Sequence, residues 1–96
     1  MDQVTCADKL KILADTTRLG VLQKLQSGPQ SVGALMTALD VEQTLLSHHL
    51  RVLRQAKFVI AERSGKQVLY RLAPDVLIEQ NGLNLNCCVL SFQSGF

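Results

Sequence analysis

The sequence predicts one mainly α-helical domain, spanning residues 1–96, with a small β-hairpin in its second half. The length of 96 residues is that of a single domain, and the 47% hydrophobic content is enough to build a folded core. Apolar residues recur at helical spacing up to residue 56, and from residue 58 they alternate with polar residues as in a strand. The change of period therefore places four helices before the hairpin.

Two helices are predicted in the first third of the chain. One covers about residues 3–14, because Thr5 is a residue type that caps helix N-termini and the leucines that follow share one face. Asp15 is a good N-cap for the second helix. That helix ends at Gly28 and Pro29, which combine a C-terminal glycine with a helix breaker.

A third and a fourth helix follow, joined by a tight turn at residues 40–41. Ser31 caps the short third helix, and the fourth spans about residues 42–56. The buried stripe of the fourth helix is predicted to consist of Leu46, Leu50 and Leu53, helped by Leu45 and Val52. Two short helices joined by a tight turn, over about residues 31–56, are the pattern of a helix-turn-helix.

The outward face of the fourth helix is rich in side chains that donate to, or accept from, base edges and phosphates. These residues are Gln43, Thr44, Ser47, His48, Arg51, Arg54 and Gln55. No carboxylate points outward after Glu42, whereas a merely solvated helix usually intersperses acids among its bases. From Glu42 to Arg71 the chain has six basic residues against two acidic ones. This pattern favours double-stranded DNA as a partner over a simply solvated surface.

The adjacent histidines of this helix do not suit a shared metal site. Helical geometry separates neighbouring side chains by about 100°, so His48 falls on the polar face and His49 at the edge of the core. We therefore interpret His49 as a hydrogen-bonded residue at the core boundary.

A β-hairpin is predicted over about residues 58–72. Gly65 stands at its tip, residues 63–66, where a tight turn needs a positive φ. The tip also carries Arg63 and Lys66. A basic tip beside a DNA-reading helix can lie along the adjacent minor groove or backbone, although exposed cations are also common in turns.

The C-terminal quarter is predicted to hold one more short helix and a tail. The helix covers about residues 74–80, because proline favours a helix start and the asparagine and glycine that follow stop it. The tail, residues 83–96, carries the thiols of Cys87 and Cys88 and shows no helical stripe.

Several classes of protein are excluded by the sequence. No stretch approaches the roughly 18 consecutive apolar residues of a membrane span, and the N-terminus lacks the basic start and apolar run of a secretion signal. An enzyme is not expected, since there is no glycine-rich phosphate loop and Ser47 and His48 have no carboxylate to orient the imidazole. Three cysteines, two of them adjacent, do not suit a disulfide framework, so we expect a cytoplasmic protein with free thiols.

Three segments together resemble the ArsR/SmtB family of metal-responsive transcriptional repressors. They read LKILADTTRLGVL from residue 10, LLSHHLRVL from residue 45 and AERSGKQVLYRL from residue 61. The resemblance implies a winged-helix homodimer that blocks a promoter and leaves it when an inducer binds. It implies a dimer interface built from the first and last helices and a wing tip at residues 63–66. The groove-reading positions that it implies are Gln43, Thr44, Ser47, His48 and Arg51.

The chain departs from the family pattern at several positions. Thr16 stands where proline is usual, and Lys57 stands where glycine is common before the hairpin, so a left-handed backbone at Lys57 would be slightly strained. The third-helix cysteine pair of many members would fall near Ser31 and Gly33, which are not thiols. Both histidines lie in the fourth helix, so the last-helix histidine ligands typical of zinc sensors are also missing.

A chemical sensor in this chain must therefore use Cys6, Cys87 and Cys88. Three thiolates suit a soft, three-coordinate ion such as trivalent arsenic or antimony, whereas zinc prefers a fourth ligand. The resemblance implies that Cys6 could approach the vicinal pair within or between subunits. Binding there would change the spacing of the two DNA-reading helices, while DNA binding itself would require no cofactor.

Three alternatives to a metalloid sensor remain open. The thiols could form a disulfide or polysulfide bridge and so sense oxidants or reactive sulfur. They could also be small buried residues that pack without any chemistry. Finally, the domain could be a winged-helix protein-interaction module whose basic face binds an acidic partner, and DNA affinity that falls steeply with salt would argue against that function.

Overall fold

The computed structural model describes residues 5–79 and 82–92. Within these ranges the chain forms four helices, a sheet that includes the predicted hairpin, and a second small sheet near the C-terminus. In chain order the elements are α1 (Cys6–Leu13), α2 (Thr16–Leu25), β1 (Gln30–Ser31), α3 (Val32–Leu39), α4 (Gln43–Gln55), β2 (Val59–Ser64), β3 (Gln67–Leu72), β4 (Leu77–Glu79), β5 (Gly82–Asn84) and β6 (Val89–Ser91).

The helix starts follow the predicted caps. Thr5 and Asp8 form a capping box at α1, in which each side chain accepts a hydrogen bond from the other residue's backbone N–H. Asp15 caps α2, with its Oδ2 2.9 Å from the backbone nitrogen of Arg18. Ser31 caps α3 in the same way. Residues 3 and 4 of the predicted first helix lie outside the described residues.

The three leucines predicted to form the buried stripe of α4 are confirmed, whereas Val52 is only half-buried and is not among the side chains packed against the core. Leu46, Leu50 and Leu53 are at most 1% exposed and belong to the same core cluster as the buried leucines of α2 and α3. Leu45, however, is 44% exposed, so the prediction that it helps to form the stripe is wrong. A rotation of about 100° per residue turns Leu45 away from the core once Leu46 faces it.

The predicted hairpin forms the strands β2 and β3, which pair in antiparallel register from Val59 opposite Leu72 to Ser64 opposite Gln67. The loop between them has two residues, and Gly65 has a φ of 63° at its first position, as in a type II′ turn. A third strand in this sheet, β1, pairs with β3 and was not predicted. A strand of two residues has no periodicity that could be read.

The end of α4 takes a Schellman motif immediately before β2. The backbone N–H of Lys57 donates to the carbonyl of Arg54, and that of Phe58 donates to the carbonyl of Leu53. Lys57 has a φ of 67°, which confirms the expected left-handed backbone at this position. The motif directs the chain from the last turn of α4 into the first strand of the hairpin.

The C-terminal region corrects the prediction of a fifth helix over residues 74–80. Residues 77–79 form β4, which pairs with β5, and β5 pairs in turn with β6, while residue 80 lies outside the described residues. A segment this short cannot form a stable helix by itself, and strand pairing with the tail satisfies its backbone instead. The Gln26 side chain donates to the carbonyl of Gly82 at 2.9 Å and ties this sheet to the end of α2.

Candidate DNA-binding face and thiol cluster

The predicted DNA-reading side chains all lie exposed on the outward face of α4. They are Gln43, Thr44, Ser47, His48, Arg51 and Arg54. Apart from a ring contact between His48 and His49, at 5.4 Å between centroids, none of them is hydrogen-bonded or ion-paired to another described residue. Their polar groups are therefore available to an external partner.

The wing tip adds further unpaired cations. Arg63 and Lys66 are exposed and, within the described part of the chain, have no acidic partner. Arg71 differs, because its guanidinium holds the carboxylate of Glu62 with contacts of 3.0 and 3.1 Å. This hydrogen bonding and charge lower the pKa of Glu62. Arg71 is thus neutralised within the sheet, and the positive charge left for a partner comes from α4, from Lys57 just after it and from the wing tip.

The inward-facing histidine fixes α4 to the start of α2. His49 is 8% exposed, and its Nδ1 accepts a hydrogen bond from Arg18 Nε at 3.0 Å. Its Nε2 lies 3.8 Å from the carboxylate of Asp15. This confirms the interpretation of His49 as a hydrogen-bonded boundary residue. Its partner Arg18 was not predicted, since a contact across 31 positions has no local signal.

The cysteines from the two ends of the described chain meet in one cluster. Cys6 is the first residue of α1, while Cys87 and Cys88 lie in the turn between β5 and β6. The three Sγ atoms lie within 4.8 Å of one another. Because all three belong to one chain, the cluster needs no residue from a second subunit.

Two of the three thiols are joined in this structure. Cys6 and Cys87 form a disulfide, with 5.7 Å between their Cα atoms, and the half-buried Cys88 remains a free thiol 3.8 Å from the Cys87 sulfur. The expectation that all three thiols are free is therefore wrong for this state of the protein. With three cysteines, one disulfide can form and one thiol remains, so an odd number does not exclude a disulfide.

The thiol-bearing turn is also held to α1 by a hydrogen bond. Lys9 lies one helical turn after Cys6, and its ammonium donates to the carbonyl of Leu85 at 3.1 Å. The backbone N–H of Leu85 donates in turn to the carbonyl of Cys88 at 2.8 Å and closes the turn. The position of the turn thus depends on α1 through one covalent and one polar contact.

After reduction, the cluster has the donor set for a soft ion. Two sulfurs that bind one ion, each at about 2.3 Å, are at most about 4.6 Å apart. The three sulfurs here lie within 4.8 Å of one another, so only a small movement would bring them to that distance. Three sulfur donors without a histidine or carboxylate among them favour a thiophilic ion over a hard cation such as magnesium.

A helix-turn-helix followed by a hairpin, with an unpaired basic and polar face on its second helix, defines the winged helix-turn-helix class. Residues 15–61 match the bacterial regulatory protein, arsR family. The chain belongs to this family.

Curated relatives carry the names of regulators. The chain is 41% identical over 66 residues to the HTH-type transcriptional regulator NmtR of Mycobacterium tuberculosis, covering 69% of this chain and 55% of that protein. It is 45% identical over 67 residues to the arsenical resistance operon repressor of Escherichia coli, covering 69% and 57%. The chain thus spans about half the length of these relatives. It is also 30% identical over 76 residues to the transcriptional repressor SdpR of Bacillus subtilis, covering 79% of this chain and 84% of that protein.

Solved structures confirm the predicted winged fold. Rv0081 of M. tuberculosis matches with a TM-score of 0.68 and 36% identity, covering 72% of this chain and 70% of that one. A homodimeric winged helix-turn-helix DNA-binding domain, Mb0332 of Mycobacterium bovis, matches with a TM-score of 0.64 and 35% identity, covering 68% and 60%. Membership of a family of regulatory proteins also supports the expectation that the chain is not an enzyme. No helix within residues 5–79 and 82–92 is long and apolar enough to cross a membrane.

Proposed function

We propose that the chain is a homodimeric transcriptional repressor that binds operator DNA and is released when a thiophilic inducer binds its cysteine thiolates. The observation that carries the DNA-binding part is the outward face of α4, whose polar and basic side chains are exposed and have no partner among the described residues. Its DNA contacts are Gln43, Thr44, Ser47, His48, Arg51 and Arg54 in α4, together with Arg63 and Lys66 in the wing.

The two groups of contacts have different roles. Side chains of α4 enter the major groove, where an arginine can hold a guanine through two hydrogen bonds. Arg63 and Lys66 contact the backbone or the adjacent minor groove. Packing of the apolar stripe already fixes the orientation of α4, so DNA binding requires no cofactor.

Salt dependence tests the DNA-binding part of this proposal. Operator binding, measured by fluorescence anisotropy from low to high salt, is expected to weaken with a slope of about −0.9 per phosphate contact in a log-log plot. A module whose partner is an acidic protein would not show this salt dependence with duplex DNA. Absence of any duplex affinity at low salt would contradict the proposal and favour a protein-interaction module.

We also propose that the repressor is a homodimer on an imperfect inverted repeat, since a two-fold protein imposes a two-fold site. The homodimeric Mb0332 domain supports this. The expected interface involved the first and last helices, but residues 77–79 form a strand. We therefore assign the interface to α1 and the C-terminal sheet. These elements carry the exposed apolar residues Leu10, Ile78 and Val89, at 43%, 60% and 56% exposure. A stable monomer in sedimentation at micromolar concentration would contradict the dimer.

The proposed inducer is trivalent arsenic or antimony, held by Cys6, Cys87 and Cys88. The support is the cluster of three sulfurs, which offers the three soft donors that such an ion takes. The relationship to a protein named arsenical resistance operon repressor points the same way. Thiols in a reducing cytoplasm, where we place the chain, would be available to such an inducer.

A second candidate function is redox sensing, which the Cys6–Cys87 disulfide favours. In that case the two thiols lose two protons and two electrons as the sulfur–sulfur bond forms, and an external oxidant or polysulfide takes the electrons. DNA affinity would then depend on whether α1 and the thiol-bearing turn are covalently linked.

The two inducers can be distinguished by their dependence on reductant. Arsenite is expected to release the protein from its operator with excess reductant present, with one equivalent bound per chain. A redox sensor would instead be released by diamide or polysulfide and restored by reductant. Failure of both reagents to weaken operator binding would exclude the thiol cluster as a sensor.

A further inference from the structure

The turn that carries Cys87 has a polar contact toward the wing as well as toward α1. Asn86 lies in this turn with a φ of 77°, and its Nδ2 donates to the carbonyl of Asp75 at 3.2 Å. Its backbone N–H donates to Oδ1 of Asn84 at 2.8 Å, which holds the asparagine in the turn. Asp75 belongs to the segment that leaves β3, so the thiol-bearing turn contacts the exit from the wing.

The segment around Asp75 is in turn bonded to the junction between α4 and β2. The backbone N–H of Ala73 donates to the carbonyl of Phe58, and that of Val76 donates to the carbonyl of Ala73, both at 2.9 Å. Val76 and Phe58 are buried in the same core cluster as Leu53 of α4. A displacement of residues 73–76 therefore acts on both the base of the wing and the end of α4.

The thiol-bearing turn and the end of α4 both line a cavity of about 490 Å³. Lys9, Leu85 and Asn86 contribute to its lining together with residues 55–58 and 75–76. The hydrogen bond from Asn86 to Asp75 joins two of these lining residues. Leu85 is 2% exposed and belongs to the same core cluster as Phe58 and Val76, so the turn also packs against this junction.

We infer that Asn86 is the positioning residue that transmits the state of the thiol cluster to the wing base and α4, an inference that rests on the proposed thiol-controlled repressor. A bond at the Cys87 sulfur fixes the turn against α1. Without that bond, the turn is held by the polar contacts of Lys9 and Asn86 and by the buried side chain of Leu85. The turn therefore has two restraint states, and Asn86 couples its position to Asp75.

The test uses Asn86→Gly, because glycine accepts the positive φ of this position and keeps the backbone N–H while removing the side-chain donor. Operator affinity of the reduced variant and its arsenite stoichiometry are expected to remain within about twofold of wild type. For wild type, arsenite is expected to reduce operator affinity by roughly 5- to 150-fold, the range of allosteric couplings. For Asn86→Gly, the same reduction is expected to be about twofold or less.

Two further variants control for a purely structural effect. Asn86→Asp keeps the size of the side chain but cannot donate to the Asp75 carbonyl, so it is expected to behave like the glycine variant. Ser91→Gly places the same flexible residue at an exposed position of β6, the strand that follows the turn, and leaves the Asn86 contact intact. This control is expected to be released like wild type.

Each outcome decides between the inference and the function on which it rests. Full release of Asn86→Gly alongside wild type would overturn the role of Asn86 and leave the proposed function standing. Loss of arsenite binding or operator affinity in Asn86→Gly would show a structural role only and would also overturn the inference. A wild-type protein that neither arsenite nor diamide releases would contradict the proposed function and the inference together.

Discussion

At the scale of single residues, two neighbouring histidines have separate roles because α4 turns them to different surroundings. His48 is exposed on the outward face, whereas His49 is buried and accepts a hydrogen bond from Arg18 at Nδ1. An accepting Nδ1 must be unprotonated. Burial lowers the pKa of His49, which outweighs the opposing attraction of Asp15. The neutral imidazole is thus the form that holds α4 in place.

The lowered pKa of His49 predicts a loss of stability in mild acid. The unfolded chain takes up the proton near the ordinary pKa of 6.5, while the folded chain takes it up only at lower pH. The free energy of unfolding therefore falls as pH drops below about 6.5. Asp15, whose pKa is lowered chiefly by the Arg18 backbone N–H, adds a loss in the same direction in stronger acid. Thermal unfolding between pH 8 and pH 5 measures the effect.

His49→Gln is the matched control for this pH dependence. Glutamine keeps an acceptor for Arg18 but does not titrate, so its melting temperature is expected to change less with pH than that of wild type. An equally steep pH dependence in this variant would assign the effect to another group.

Arg51 and Lys66 are expected to contribute to DNA binding in different ways. Arg51→Ala should weaken operator binding by about 1 to 3 kcal/mol and relax base preference, because a guanidinium in the groove can contact guanine through two hydrogen bonds. Lys66→Ala should weaken binding to all duplexes alike and lower the salt slope by about one. Anisotropy with operator and scrambled duplexes checks both. Unchanged base preference in Arg51→Ala would mean that the assigned register of α4 is wrong.

At the scale of elements, the end of α4 contains a local departure from the family pattern, from which a change in stability can be predicted. Lys57 takes a left-handed backbone that glycine adopts without strain. Lys57→Gly is expected to raise the free energy of unfolding by about 0.5 to 1 kcal/mol, or roughly 4 °C in melting temperature. Gln55→Gly, inside the last turn of α4, should lower it by a similar amount. A lower free energy of unfolding in Lys57→Gly would show that the lysine side chain stabilises the fold by more than its backbone strain destabilises it.

The elements that could be predicted from sequence are those with local signals. Thr5, Asp15 and Ser31 cap helices through bonds to residues three positions later, and Gly65 takes the positive φ of a tight turn. The strand at residues 77–79 pairs with residues 82–84, only three to seven positions away, but a strand of three residues is too short to show a readable alternation. Pro74 indicated a helix start, and the asparagine and glycine at residues 81–82, which we interpreted as a helix stop, are also typical of a hairpin.

At the scale of the whole molecule, the two ends of the described chain meet at the thiols, while the helix-turn-helix and wing come from the middle. Nothing in the local sequence indicates that Cys6 contacts Cys87, which lies 81 positions away. Only the resemblance to a family of inducible repressors implied that they could approach. The exposed face of α4, in contrast, followed directly from helical periodicity. In the proposed repressor, sensing and DNA reading therefore use separate residues, so the two can be altered independently.

This separation predicts that the thiols can be removed without loss of DNA binding. Cys87 and Cys88 lie outside the helix-turn-helix and wing, and serine keeps their size but loses the soft sulfur. Cys6→Ser should reduce release partly or fully, depending on whether two or three thiolates hold the inducer. Anisotropy titrations with arsenite under reductant measure this.

The most direct test is operator affinity of wild type and of the Cys87→Ser, Cys88→Ser double variant, each measured with and without arsenite under reducing conditions. Without arsenite, both proteins are expected to bind the operator with the same affinity. With arsenite, wild type should lose about 5- to 150-fold in affinity and the double variant should lose none. Equal release of the two proteins by arsenite would contradict control of DNA binding by the thiol cluster.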